Sequence, residues 1–391
     1  MSSMYLPSFS LRILLVLCAL AVVSLLYLPL PILPQLAQTH HMSTAASAGV
    51  ISAFGFAYAA GFLIFGPLSD RLGRRVVMMC GLAALTLITA WLSTVQTVPF
   101  LLAGRAAQGL AAATFPPVVI AYLAERGTPK QRVWSVAWLS TAFLSAGLLG
   151  QIYGAAVASP WGLGSALLPL AAVFAITAWR LWTTPADPTH TPQGSLRTLY
   201  QPIGKLLVSS PLRRVYGPAL LLLMCFVAFY IGIDTHVGRA LQAHGITPLV
   251  ARELALPAFL TPLAVASVMP RWGAERIVNT GLLVATSGLA LSSWAGDGHL
   301  YGLLASSVIF VAGIGISVPG LIARVASVAE APMRGLAVAF YTFVLFVGAS
   351  LGPWLAQQTA HWPTGQAFLL LAILLGAAAL YAITGRSTRT A

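Results

Sequence analysis

The side chains best suited to chemistry gather in one short stretch, residues 66–75. Its glycines and charged residues are Gly66, Asp70, Arg71, Gly73, Arg74 and Arg75. A carboxylate there can accept hydrogen bonds from backbone N–H groups at a helix start, while arginines can bind the carbonyl end of a helix. Glycine permits the close turn and positive φ that two joined helices require. The spacing therefore predicts a tight loop that joins two membrane helices; the alternative is an ordinary basic turn.

A single arginine, Arg105, lies inside an apolar run, about eight residues or 12 Å from its outer end. Charge at membrane depth is costly unless it has partners or meets water, which makes it a candidate functional residue. Gln108 shares its helix face at a three-residue spacing. We predict that Arg105 and Gln108 contact substrate or transfer protons. The alternative is an arginine that reaches outward or holds its helix in place.

Other polar groups are candidates for the same task. Asp234 lies near the outer end of its apolar run, as Glu253 does, with His236 nearby. These groups could titrate at an outer vestibule or form a solvated rim. The remaining candidates, each of which could also be simple packing, are Tyr27, Tyr58, Gln151, Tyr230 and Tyr341.

No enzyme or metal centre is predicted. The chain lacks the Gly-x-x-x-x-Gly-Lys loop that binds phosphates, so ATP-driven transport within this chain is excluded. The adjacent His40 and His41 have no accompanying carboxylates, and the cysteines are singly placed at Cys18, Cys80 and Cys225. We expect no metal and no cofactor.

The elements that must position these residues are membrane helices. The chain is 58% hydrophobic and only 7% charged, and apolar runs of about 20 residues recur throughout. The first run follows Arg12 without a convincing cleavage site and is expected to be retained. The twelve predicted helices lie near residues 12–33, 47–68, 76–95, 98–122, 133–157, 163–183, 215–235, 248–269, 276–296, 299–323, 335–357 and 363–384. The predicted fold class is therefore an all-α polytopic membrane protein.

Basic residues set the topology. With the N-terminus in the cytoplasm, every lysine and arginine except Arg105, Arg239 and Arg252 falls on the cytoplasmic side or in the central break. This bias predicts that both termini are cytoplasmic. The basic residues occupy gaps between apolar runs and form no binding face, so the net charge of +13 does not indicate a nucleic-acid partner.

The chain divides into two halves. We predict a six-helix bundle over residues 1–183, a cytoplasmic linker over 184–214 and a second six-helix bundle over 215–391. Residues 196–208 could form a short surface helix or a plain linker. At an offset of 202 residues Pro117 falls on Pro319, and Arg132 falls on Arg334. Such a repeat places a binding site between two pseudo-symmetric halves.

Small residues predict close helix packing in the fifth and eleventh helices. The predicted packing positions are Gly147, Gly150, Gly154, Gly348, Gly352 and Pro353.

The pattern Gly-x-x-x-Asp-Arg-x-Gly-Arg-Arg at residues 66–75 resembles the loop between helices 2 and 3 of the major facilitator superfamily. Arg105-Ala-Ala-Gln108-Gly109 is similar to that family's helix-4 motif, which is associated with proton coupling in its exporters. The antiporter motif of helix 5 is broken, because Gln151 replaces its proline. The resemblance implies that Asp70, Arg74 and Glu125 form a latch at the cytoplasmic ends of the halves. The second half keeps Arg271 and Arg276 but no acid matching Asp70, so one latch is expected.

The resemblance also implies a function. We expect a monomeric secondary transporter of a bacterial inner membrane that moves a small, partly apolar solute by alternating access. Proton-coupled efflux is favoured, with the proton gradient as energy source. The alternatives are a sugar or metabolite uniporter or symporter of the same fold, or a passive channel.

Overall fold

The computed structural model describes residues 8–42, 44–185, 203–296, 298–330 and 333–384. The described residues form helices and no strands. The α-helices are α1 (Phe9–Tyr27), α2 (Leu33–Thr39), α3 (Thr44–Leu72), α4 (Arg74–Leu92), α5 (Val98–Ala112), α6 (Pro116–Ala124), α7 (Pro129–Tyr153), α8 (Ser159–Thr183), α9 (Ile203–Val208), α10 (Ser210–Gly232), α11 (Gly238–Ala243), α12 (Pro248–Glu253), α13 (Thr261–Ala295), α14 (Leu300–Val328), α15 (Arg334–Gln358) and α16 (Thr364–Ile383).

Ten continuous helical stretches in the described residues are long and apolar enough to cross a membrane. Two of them, Pro129–Thr183 and Leu256–Ala295, are 55 and 40 residues long, enough for two crossings each. The backbone leaves helical geometry within each stretch, at Gly162 (φ 83°) and at Gly273 (φ 75°). Only glycine adopts such angles readily. Counting each long stretch as two crossings gives the twelve membrane helices that the sequence predicted.

Proline moves several helix boundaries away from their predicted positions. The predicted fourth helix, 98–122, is interrupted between α5 and α6, because Pro116 and Pro117 supply no N–H for the preceding turn. The predicted first helix, 12–33, ends at Tyr27 and is followed by a 3₁₀ turn at Leu30–Ile32. The predicted eighth helix, 248–269, is likewise split into α12, a 3₁₀ turn at Leu256–Leu260 and the start of α13.

The chain separates into two compact units, Met1–Tyr200 and Gln201–Ala391. In the first unit, α1 packs on α7, α3 on α5 and α4 on α8. In the second, α10 packs on α15, α14 packs on both halves of α13, and α16 packs on the second half of α13. Both units therefore pair their first and fifth, second and fourth, and third and sixth membrane helices, as two pseudo-symmetric bundles should.

The predicted linker, 184–214, stays a prediction because most of it lies outside the described residues. Its described end is helical rather than extended. The short helix α9 occupies residues that were predicted to be either a surface helix or a plain linker, and α10 begins at Ser210, five residues before the predicted start.

Candidate functional site

The loop at residues 66–75 is a single-residue break between two long helices. Helix α3 ends at Leu72, Gly73 adopts φ 92° and ψ 130°, and α4 begins at Arg74. This turn places Asp70, in the last turn of α3, beside the first residue of α4. The Arg74 Nη2 atom lies 3.0 Å from Asp70 Oδ1.

Arg74 also binds the end of a third helix. Its Nε donates to Glu125 Oε2 at 2.8 Å, and its Nη2 donates to Glu125 Oε1 at 2.6 Å. Two parallel charge-assisted bonds make this a bidentate pair. Glu125 follows α6 directly, so α3, α4 and α6 meet at one guanidinium. We call Asp70, Arg74 and Glu125 the loop cluster; all three lie in the first unit, and their role in gating stays a prediction.

The neighbouring Arg75 contacts a different helix. Its Nε donates to the Leu181 carbonyl and its Nη2 to the Trp182 carbonyl, both at 2.6 Å. These carbonyls belong to the last turn of α8, which carries partial negative charge and lacks intrahelical donors. Of the other predicted loop residues, Arg71 is partly exposed, and the Gly66 carbonyl accepts a bond from Ser69 Oγ at 2.7 Å.

The second unit has an ion pair at the corresponding place, which the sequence analysis did not predict; the expectation of a single latch stays a prediction. Gly273, with φ 75°, takes the place of Gly73, and Glu275 lies two residues beyond it. Arg324 Nη1 donates to Glu275 Oε2 at 2.6 Å, joining the third helix of the unit to the end of the fourth. The charges are reversed: the loop side carries the acid and the fourth helix carries the arginine. We call Glu275 and Arg324 the reversed pair.

Arg105 lies fully inside the first unit, with 1% of its surface exposed. Its guanidinium donates to the Val50 carbonyl at 3.0 Å, the Leu25 carbonyl at 2.9 Å and Gln108 Oε1 at 2.6 Å. It also stands 4.5 Å from the centre of the Phe54 ring. One side chain thus connects α1, α3 and α5 through neutral partners.

The bond to Leu25 follows from a proline. A helical carbonyl normally accepts from the N–H four residues on, but residue 29 is Pro29 and has none. Arg105 Nη2 supplies the missing donor, so the end of α1 depends on a side chain of α5. Gln108 extends the network by donating from Nε2 to Thr89 Oγ1 at 2.9 Å.

Asp234 lies in a π-helical turn, Ile233–Val237, that follows α10. Such turns are frequent at functional sites. Its Oδ2 atom accepts a hydrogen bond from Arg252 Nη2 in α12, and the Arg252 guanidinium lies 5.7 Å from the Tyr230 ring centre. The side chain of Asp234 is 35% exposed, whereas that of Arg252 is 17% exposed. The structure therefore brings two predicted residues, Asp234 and Tyr230, into one cluster with an arginine.

The remaining predicted site residues are three tyrosines and Gln151. Tyr58 is buried between the rings of Phe54 and Phe62, with centroid distances of 5.3 and 4.4 Å. Gln151 donates back to the Gly147 carbonyl of its own helix at 2.7 Å. Tyr27 is partly buried, and Tyr341 is buried.

The predicted packing glycines differ in how closely they are approached. A Cβ added at Gly150 would lie 2.9 Å from the Ser24 carbonyl, and one added at Gly352 would lie 2.7 Å from Val227 Cβ. Cβ atoms at Gly154 and Gly348 would meet the backbone carbonyls of Leu28 and Leu220. At Gly147 the nearest atom is 3.8 Å away, an ordinary contact. The side chain of Pro353 lies outside the described residues.

Two bundles of six membrane helices, with ion-paired loops after the second helix of each, define a class of multi-pass membrane transport proteins. The sequence model of the Major Facilitator Superfamily matches residues 15–267. The chain belongs to this superfamily. Its members are transporters, so the chain is a transporter of small molecules and not an enzyme.

Three relatives and one solved structure show how far the similarity extends. The chain is 31% identical over 129 residues to the uncharacterized MFS-type transporter YceJ of Bacillus subtilis, a third of either chain. It is 21% identical to the inner membrane transport protein YajR of Escherichia coli, covering 90% of this chain and 78% of that one. It is 25% identical to multidrug resistance protein 1 of Bacillus subtilis, covering 54% and 51%.

The structure of the proton:xylose symporter XylE superimposes with a TM-score of 0.78 and 14% identity, covering 96% of this chain and 95% of that one. At this identity the similarity establishes the fold alone.

Proposed function

We propose that this transporter exports a small, partly apolar solute across the bacterial inner membrane in exchange for protons, by alternating access. The observation that carries the proposal is the loop cluster. Partly exposed ion pairs contribute about 0.2–1 kcal/mol each, so they can form in one conformation and break in another at little cost. The direction of transport is supported by the relatives that are named multidrug resistance proteins.

Asp234 is our candidate for the proton-binding group. It is a partly exposed carboxylate whose partner, Arg252, belongs to another helix. Protonation of Asp234 would remove the negative charge that attracts Arg252. Proton binding would thereby release α12, which carries Arg252, and so would be coupled to movement of that helix. Within the described residues, Arg105 contacts only neutral groups and is enclosed. We therefore assign Arg105 and Gln108 the task of positioning α1 and α3 around the transport path.

The remaining parts of the proposal concern the setting. The transporter works as a monomer, with both termini in the cytoplasm, and uses the proton gradient without any cofactor. The basic residues of the cytoplasmic loops support this orientation.

The test is transport by the purified protein in proteoliposomes, with and without an imposed pH gradient. A panel of cationic dyes and sugars would be screened for gradient-driven flux that a protonophore abolishes. Asp234→Asn should lose this net flux but keep solute exchange at equal pH, because asparagine resembles the protonated acid. Glu253→Gln is the matched control: it neutralises an acid next to Arg252 and should behave like the wild type.

Several outcomes would contradict the proposal. Normal gradient-driven flux in Asp234→Asn would remove that residue from coupling. Flux of a sugar down its own gradient, indifferent to pH, would indicate a uniporter. Rates above about 10⁵ per second, beyond ordinary turnover, would indicate a channel.

A further inference from the structure

The third membrane helix of the second unit has a polar outward face near its start. A surface groove of about 340 Å³ lies there, lined by Trp272, Arg276, Asn279, Thr280 and Leu283. Residues three and four apart occupy the same side of a helix, so Arg276, Asn279, Thr280 and Leu283 form one stripe along α13. Trp272, just before the break at Gly273, lines the end of the groove. We call these five residues together the α13 groove.

The first unit shows what this face contains when it has no special task. Gly73 and Gly273 both have positive φ and precede equivalent helices, which fixes the register between the units. The residues of the first unit that match the α13 groove are Leu72, Val76, Met79, Cys80 and Ala83. The residues of both faces are exposed or partly exposed, but those of the first are all apolar. The polar residues of the α13 groove are therefore not required by the fold.

Polar groups on this face need a partner. Asn279 and Thr280 lie six and seven residues after Gly273, about 9–10 Å along the helix, and within the stretch that crosses the membrane. Unpaired hydrogen-bonding groups are unfavourable in contact with hydrocarbon. Within the described part of the chain, neither side chain is hydrogen-bonded to protein.

The charge at the head of the groove is positive. Arg276 and Arg271 are both exposed, and the adjacent acid, Glu275, is occupied by Arg324. Trp272 is 48% exposed, and tryptophan is enriched where a helix meets the membrane surface. An exposed guanidinium beside an indole N–H suits a phosphate group.

We propose that the α13 groove binds one acidic phospholipid. Arg276 and the indole N–H of Trp272 contact the phosphate, Asn279 and Thr280 donate to the ester carbonyls of the glycerol, and an acyl chain follows Leu283. The order of groups along the helix is the order of groups along a phospholipid. The lipid supplies hydrogen-bond partners that no described residue gives Asn279 and Thr280, and the matching positions of the first unit carry no polar side chain.

The test is native mass spectrometry of the full-length protein in detergent, with phosphatidylglycerol, phosphatidylcholine or inorganic phosphate added separately. We expect one tightly retained phosphatidylglycerol and weaker retention of phosphatidylcholine. Arg276→Gln should weaken phosphatidylglycerol binding about fivefold, the contribution of one basic residue near an anionic lipid. Asn279→Met with Thr280→Cys, which copies the first unit, should weaken both lipids because both have ester carbonyls.

Arg334→Gln is the matched control, because it removes another exposed arginine at a helix start in the same unit. An equal loss of lipid in this control would mean unspecific charge attraction and would overturn the proposal. So would unchanged lipid retention in both groove variants, displacement of the lipid by inorganic phosphate, or a protein dimer that disappears when Arg276 is replaced. Thermal stabilisation by added phosphatidylglycerol, absent in Arg276→Gln, gives a second readout on the folded protein.

Discussion

The loop cluster and the reversed pair can be compared by exchanging the charges of each. In the first unit the exchange is Arg74→Glu with Glu125→Arg, and in the second it is Glu275→Arg with Arg324→Glu. A simple ion pair should tolerate the exchange, since only its direction changes. The two units differ in one respect. In the first unit a second acid, Asp70, lies 3.0 Å from Arg74, whereas the matching position of the second unit carries no acid.

The expected magnitudes follow from exposure. The side chains of Arg324 and Glu275 are 16% and 44% exposed, so breaking their pair by a single substitution should cost about 0.5–1 kcal/mol. The second unit with both charges exchanged should recover most of this lost stability. In the first unit, exchange places a second carboxylate, at position 74, beside Asp70, which removes an attraction and adds a like-charge i,i+4 repulsion of about 0.3–0.5 kcal/mol. The exchanged first unit should therefore stay about 1 kcal/mol less stable than the wild type.

The assay is a pair of double-mutant cycles, each read by thermal unfolding in detergent and by initial transport rates in proteoliposomes. Asp70→Asn, added to the exchanged first unit, should restore part of the loss because it removes the repelling charge. In the wild-type background the same Asp70→Asn change should lower transport without lowering expression.

Two results would refute this reasoning. If the first unit recovers on exchange as fully as the second, then Asp70 does not act on Arg74 as its position implies. If neither exchange recovers any stability, each pair depends on having its arginine on one particular helix. The reversed order of charges in the two units would then affect their stability.

Three further substitutions test the other contacts. Arg105→Lys should lower the unfolding temperature, because lysine cannot reach Leu25, Val50 and Gln108 together. The buried carbonyl that is left without a hydrogen bond should cost about 1–3 kcal/mol of stability. Melting of Arg105→Lys at the wild-type temperature would contradict this. Gly150→Leu should destabilise the first unit by about 1–3 kcal/mol, because the new side chain would press on the backbone of α1. Gly147→Ala should be tolerated in the same melting experiment. Arg75→Gln should speed amide hydrogen exchange at the end of α8 and leave the other helices unchanged. If exchange at the end of α8 stays as slow as in the wild type, the two hydrogen bonds from Arg75 do not stabilise that helix.

The residue spacing predicted a tight loop with a glycine at the break between the helices, and the resemblance to the family grouped Asp70 with Arg74. Glu125 came from the resemblance to the family rather than from spacing. The reversed pair was missed because an acid was sought only at the position that matches Asp70, before the loop glycine, whereas Glu275 lies two residues after Gly273. Its partner, Arg324, lies on another helix 49 residues further along the chain, where spacing within the loop gives no signal.

Arg105 shows a second limit of sequence reasoning. Its burial in a helix could be predicted from its apolar surroundings. Its partners could not, because two of them are backbone carbonyls on helices 55 and 80 residues away along the chain. One local signal was present: Pro29 leaves the carbonyl of Leu25 without its helical donor, so a distant donor was needed.

The reversal of charge between the units bears on the role of the arginines in the second loop. In the first unit, the loop arginine that pairs with an acid, Arg74, also adds to the basic charge of its side of the membrane. In the second unit that arginine has moved to the fourth helix as Arg324, and its place at the loop is taken by an acid. Arg271 and Arg276 keep the second loop basic, as the topology requires. Glu275 is paired with Arg324, so Arg276 is available to a partner outside the ion pair. Its position at the head of the α13 groove makes a lipid phosphate the partner that we expect.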